Sequence, residues 1–157
     1  MGVEIERRYL AAPSVLAECG NGGRTIVQGY LQSGVGGNTR IRVEGDRATL
    51  TRKGPKTGCC RQEVEMAIPL GRAFQLLAAL PQEMLIHKTR YTVPVGGFHW
   101  EVDVFAGKHR GLIIGEVELA HAAQTFPLPH WAVREITDDR RFGNSSLALA
   151  PRIPVAA

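Results

Sequence analysis

The residue pattern predicts an α+β fold made mainly of antiparallel strands: an eight-stranded closed or nearly closed β-barrel with one to three peripheral helices. Three observations carry this. Most segments alternate apolar and polar residues with a period of two, which suits strands with one buried face. Eighteen glycines and nine prolines break the chain into short pieces, as in antiparallel meanders. Helical apolar spacing is best developed in a single stretch, residues 70–80, where Phe74, Leu76, Leu77 and Leu80 stand among alanines.

Taken in order, Val3, Ile5 and Tyr9 alternate with Glu4, Glu6 and Arg8 in a first strand, and after GNGG at 20–23 residues 24–31 form a second. SGVGG at 33–37 reads as a loop. Residues 39–43 and 48–53, joined through Gly45-Asp46, read as a hairpin. GPKTG at 54–58 reads as another loop before a strand over 61–68. Beyond the helix, strands are expected at 85–93, 98–105 and 112–119. A strand-like piece follows at 133–137, with a short helix near 145–150. The whole chain, 1–157, reads as a single domain, with 151–157 a frayed tail between prolines.

Composition narrows the class. At 157 residues, 44% hydrophobic and 22% charged, the chain can bury a core, and no apolar run approaches the ~20 residues of a spanning helix. The charged opening MGVEIERRYL lacks the apolar stretch of a signal peptide, and three cysteines make a poor disulfide framework, so a reduced, cytoplasmic protein is expected. The net charge of +4 hints at a polyanionic partner, but many ordinary proteins are this basic, and where the charges sit matters more. A small anionic molecule is the expected partner, with neither nucleic acid nor membrane; pairing into a homodimer is compatible with the sequence. The five histidines have no metal-ligand spacing, although His99 stands two residues before Glu101, and the glycines at 33–37 lack the Lys-Ser/Thr of a P-loop.

The informative feature is which charges share a face. Acidic pairs two residues apart recur as Glu4/Glu6, Glu63/Glu65, Glu101/Asp103 and Glu116/Glu118. Basic positions recur as Arg40/Arg42 and Lys88/Arg90, with Lys53 and Arg8 single, while the opposite faces are largely apolar. A sheet with one solvated face shows the same alternation. Such a face tends to set opposite charges side by side, however, whereas two carboxylates ~7 Å apart repel by ~2 kcal/mol at an effective dielectric of about 20. Repetition on four strands suggests a cation that offsets the repulsion, and an all-oxygen donor set suits Mg²⁺ or Mn²⁺. The arginine forks and lysine ammoniums then call for phosphate oxygens on the same face. If the sheet closes, acids and bases meet in one lumen.

These residues resemble a known family. Glu4-Ile5-Glu6-Arg7-Arg8-Tyr9-Leu10 is similar to the ExExK opening of the CYTH, or triphosphate tunnel metalloenzyme, proteins. Further matching motifs are Thr39-Arg40-Ile41-Arg42, Leu50-Thr51-Arg52-Lys53-Gly54, Glu63-Val64-Glu65, Lys88-Thr89-Arg90-Tyr91, Trp100-Glu101-Val102-Asp103 and Gly115-Glu116-Val117-Glu118, so the resemblance spans about residues 2–150. It implies an eight-stranded tunnel and divalent-metal-dependent hydrolysis of a triphosphate, first of all inorganic tripolyphosphate to pyrophosphate and phosphate. ATP and thiamine triphosphate are further substrates to consider. It also implies Glu4, Glu6, Glu116 and Glu118 as principal metal ligands, Glu63, Glu65 and Asp103 as a second acidic patch, and Arg8, Arg40, Arg42, Lys53, Lys88 and Arg90 as phosphate ligands. Glu116, Glu118 and Arg8 would act in the chemistry. Two positions depart from the family pattern: its lysine is Arg8 here, and Phe142 stands where tyrosine is usual. A class IV-type adenylate cyclase and a non-catalytic polyphosphate or nucleotide sensor are the alternatives.

Overall fold

The computed structural model describes residues 2–150 and 152–154. Its strands are β1 (Gly2–Ala11), β2 (Arg24–Gly34), β3 (Gly37–Glu44), β4 (Arg47–Thr57), β5 (Cys60–Ala67), β6 (Ile86–Val95), β7 (Phe98–Phe105), β8 (Ile113–Glu118) and β9 (Ala132–Glu135). The helices are α1 (Leu70–Ala78) and α2 (Asn144–Leu149), accompanied by short 3-10 turns. The strands run in the order β5-β4-β3-β2-β6-β7-β8-β1-β9, and a β1–β5 pairing closes the first eight into an antiparallel barrel. Around this ring β3 lies opposite β8, and β2 opposite β1.

The closing seam is short. β5 covers only the start of β1, from Gly2↔Glu63 to Ile5↔Cys60, and then leaves its edge. β9 takes up that edge further along, from Tyr9↔Glu135 to Ala11↔Ala132, and so sits outside the ring. On its other edge β1 pairs with β8 over Glu6↔Glu118 to Leu10↔Ile114.

Three apolar clusters fix the shell, because each strand buries alternate residues. Ile41, Val43 and Ala48 on the outer face of β3 and β4 pack under Ala73 and Leu77 of α1. Gly29 lets that helix close in, since a Cβ there would lie 2.6 Å from Leu80. Trp100, Val102, Val117 and Trp131 build a second outer cluster, in which the two tryptophan rings meet edge to face at 5.2 Å. The third cluster stops one end of the barrel: Ile86, Phe105 and Ile114 point inward and meet Leu147 and Ala148 of α2, together with Phe142.

Several details depart from expectation. The two loops read at 33–37 and 54–58 are largely strand. β2 and β3 turn tightly, with Gly34 paired to Gly37, and Gly37 adopts a φ of 113° with room for no Cβ: one would sit 2.0 Å from the Lys53 carbonyl. β4 continues to Thr57 through a register shift between Lys53 and Lys56, so Gly54-Pro55 interrupts the alternation without ending the strand. The apolar Val64 and Met66 of β5 lie exposed on the outside, uncovered by α1. Residues 151 and 155–157 of the expected frayed tail lie outside the described residues, while Ile153 packs against the plug. Among the described residues no helix is long and apolar enough to cross a membrane.

Candidate active site

The lumen is a cavity of about 1030 Å³. Glu4, Glu6 and Arg8 enter it from β1, Glu116 and Glu118 from β8, Glu63 and Glu65 from β5, Lys53 from β4, Arg40 and Arg42 from β3, and Arg90 from β6. Cross-strand register sets the acid wall, placing Glu6 opposite Glu118 and Arg8 opposite Glu116. Lys88 and Asp103, also singled out in sequence, are not among the lining residues. Both are fully buried beneath the floor, where Lys88 Nζ donates to Asp103 Oδ2 at 2.5 Å and to Asn144 Oδ1 at 3.2 Å. Asp103 also accepts from Arg90 Nε at 2.7 Å and Nη2 at 2.8 Å. In this arrangement Asp103 braces Arg90, and Lys88 is bonded to Asp103 and Asn144 beneath the cavity that the second acidic patch and the phosphate contacts were expected to line. The alternation placed both on the inner face, but they lie too deep, next to the plug.

The acid wall holds more negative charge than its own cations neutralise. Lys53 Nζ stands 2.6 Å from Glu4 Oε2 and 3.0 Å from Glu63 Oε2, the latter outside hydrogen-bonding direction, so that Glu63 oxygen is buried without a hydrogen bond. Arg8 Nε donates to Glu116 Oε1 at 3.1 Å, and its Nη2 reaches the Phe142 carbonyl at 3.0 Å. Burial alone would raise the Glu116 carboxyl, but Arg8 and Arg90 bring it down to about 2. Glu6 has the opposite fate: burial, then Glu116 and Glu4, push it up to about 8.

The basic wall shows the reverse shortage. Arg42 has no carboxylate partner among the described residues; its Nε donates to Gln28 Oε1 at 3.0 Å. Burial and the neighbouring Arg40 and Arg90 bring Arg42 down to about 10. Arg40 donates through Nη2 to Thr51 Oγ1 at 3.1 Å, whereas its buried Nε has no partner. Arg90 is better neutralised: it is braced by Asp103 and Glu101 and lies 3.5 Å from Glu116.

Other lining residues went unassigned in sequence. Glu101 was visible on the charged face and pairs with Arg90. Lys56 is hidden because 54–58 breaks the alternation; Arg61 and His99 share the charged faces of Glu63 and Glu101, whereas Tyr30, Asn38 and Asn144 carry no charge that singles them out. The donors fit a hard divalent cation, being carboxylate oxygens, one of which keeps its proton against crowding. Among the described residues no three such side chains already converge on a metal point, since Glu4 is turned to Lys53 and Glu116 to Arg8.

A closed strand barrel whose lumen carries acid on one wall and base on the other defines a tunnel protein. The chain belongs to the CYTH family, whose model, the CYTH domain, matches residues 3–153. It is similar to an inorganic triphosphatase of Acetivibrio thermocellus, 38% identical over 151 residues covering 96% of each chain. A second inorganic triphosphatase, from Nitrosomonas europaea, is 36% identical over 152 residues, covering 94% of this chain and 97% of the relative. A crystal structure of an inorganic triphosphatase superposes with a TM-score of 0.66 at 33% identity, covering 94% of this chain and 98% of that one. Enzymes of this family depend on divalent metals.

Proposed function

We propose that this chain hydrolyses a linear triphosphate, first of all inorganic tripolyphosphate, to pyrophosphate and phosphate with Mg²⁺ or Mn²⁺. One observation carries the reading: within a single cavity the carboxylates of Glu4, Glu6, Glu116 and Glu118 outnumber the cations paired with them, while Arg42 has no anionic partner among the described residues. A phosphate chain bound with a divalent cation supplies both. The names of the similar proteins point the same way.

Glu4, Glu6, Glu116 and Glu118 would hold the divalent ion, which when bound neutralises charge on the phosphate oxygens. Arg40 and Arg42, with Arg90 fixed by Asp103, hold the oxygens of the transferred group, and Lys53 adds a point charge. Glu118 makes no ion pair among the described residues, so its carboxylate orients water for in-line attack and accepts its proton, with Glu116 beside it held ionised by Arg8. Positioning and electrostatics supply the acceleration, so no covalent nucleophile is required. Three cysteines, two of them adjacent, make a poor disulfide framework, which suits a reducing, cytoplasmic setting. The tunnel lining comes from one chain, so each protomer of a homodimer would carry its own site.

The test is a panel of tripolyphosphate, ATP and thiamine triphosphate, each with Mg²⁺ and Mn²⁺. Free phosphate released fastest from tripolyphosphate is expected, and Glu6→Gln and Arg42→Ala should each lower kcat/KM by ~100-fold or more. A cyclic nucleotide from ATP, binding without product, or near-normal turnover in both variants overturns the proposal.

A further inference from the structure

Cys59 and Cys60 lie outside the machinery described above, on the hairpin that closes the barrel. Thr57 pairs with Cys60 across a two-residue turn, in which Gly58 takes a φ of 59° and Cys59 follows it. The two cysteines are consecutive at the exit of this turn, and both are partly accessible. The third cysteine, Cys19, is buried in the outer core and donates to the Val15 carbonyl.

This cysteine pair sits at one of the shortest seams of the ring. Cys60 is the last β5 partner of β1, opposite Ile5, and the Cys59 carbonyl accepts the Glu6 backbone N–H at 3.2 Å. The same hairpin carries Lys56 and Arg61 into the cavity, and Glu63 follows three residues after Cys60.

We propose that Cys59 and Cys60 form a redox switch, closing to an intramolecular disulfide that opens the β1–β5 seam and weakens the tunnel site. The oxidant is a small-molecule disulfide of the glutathione class. One cysteine sulfur attacks it, forming a mixed disulfide and expelling one thiolate; the second sulfur attacks the mixed disulfide and expels the other. The two thiol protons pass to the two released thiolates, so the protein is oxidised by two electrons and the small disulfide reduced to two thiols. Joining adjacent residues strains the short ring and requires the Cys59–Cys60 peptide to turn, which takes the Cys59 carbonyl away from the Glu6 N–H. A strained, accessible disulfide is readily reduced, which suits a reversible switch in a reducing compartment.

The test treats the full-length protein with glutathione disulfide and reads intact mass, peptide map and tripolyphosphatase activity, the last resting on the function proposed above. Expected are loss of the mass of two hydrogen atoms within the peptide holding both cysteines, a several-fold rise in KM, and recovery of both with dithiothreitol. Cys59→Ser should keep basal activity, carry a stable glutathione adduct on Cys60 instead, and show a smaller rise in KM. Persistence of the mixed disulfide in the unmodified chain overturns the proposal, as does closure of the ring without a change in KM. Mass and map are read without any activity, so a chain that closes the disulfide but turns over no substrate refutes the functional reading and leaves the thiol chemistry standing.

Discussion

Two lysine–carboxylate groups in this barrel look alike in sequence and differ in kind. Lys88 and Asp103 are wholly enclosed, and each has its bonds made inside the protein: Lys88 to Asp103 and Asn144, Asp103 to Lys88 and twice to Arg90. Lys53 with Glu4 and Glu63 lies half-buried at the cavity wall, with a Glu63 oxygen left without a hydrogen bond. The first is complete without a ligand and stiffens Arg90. The second is incomplete, and its carboxylates can turn to a cation. Saturation separates a brace from a binding group; charge and spacing do not.

The comparison breaks most visibly at its buried end. Removing one partner of an enclosed ion pair strands the other, at about 3–5 kcal/mol. Asp103→Ala should therefore cost most of that range in equilibrium unfolding, because Lys88 loses its only carboxylate and Arg90 two of its bonds. Glu63→Ala should cost within ~1 kcal/mol in the same measurement, because Lys53 keeps Glu4. Equal losses would show that the two clusters do not differ as described.

A smaller effect tests the acid wall through pH. In the metal-free protein Glu6 holds its proton up to about 8, against an ordinary 4.5, so the folded state binds more protons than the unfolded one between those values. Stability should fall as pH rises through that window, by on the order of 2 kcal/mol once screening is allowed for. Glu116, drawn down to about 2, acts in a separate window: its contribution is present above 4.5 and is lost as pH falls toward 2. Glu6→Gln should flatten the decline between 4.5 and 8 in thermal unfolding with chelator present, and saturating Mg²⁺ should flatten it in the unaltered chain. A decline of undiminished slope in Glu6→Gln would place its origin elsewhere.

How far the site could be read beforehand follows from what a period of two encodes. It tells which residues share a face, and for Glu4, Glu6, Arg40, Arg42, Glu116 and Glu118 that was enough to place them in one lumen. It does not tell depth. Along β6 the inward residues run Arg90, Lys88, Ile86, and along β7 Glu101, Asp103, Phe105, passing from cavity to brace to plug. Where that passage falls depends on the stagger at which the ring closes, which is set by a seam of four residue pairs joining segments ~60 positions apart. Lys56 escapes the pattern for a local reason: Gly54-Pro55 resembles a turn, yet pairing resumes beyond a register shift. Glycine composition makes 33–37 resemble an open loop, because it does not show how closely Gly37 approaches the Lys53 carbonyl.

The smallest expected effect concerns Arg8, which belongs partly to each kind of group. Its guanidinium spans two partners, the Glu116 carboxylate of the cavity and the Phe142 carbonyl of the plug, while its backbone N–H is held by Thr137 Oγ1. A lysine ammonium is a point donor and cannot reproduce that fork. Arg8→Lys should give up one bond, the one to Phe142, and lower unfolding stability by ~1 kcal/mol. It should also loosen the grip on Glu116, freeing the carboxylate for a metal ion, so turnover of tripolyphosphate should rise by a few-fold with KM for Mg²⁺ reduced. Unchanged or lower turnover would mean that the fork does not restrain the acid wall, and that Arg8 serves the barrel as Asp103 does, as a brace.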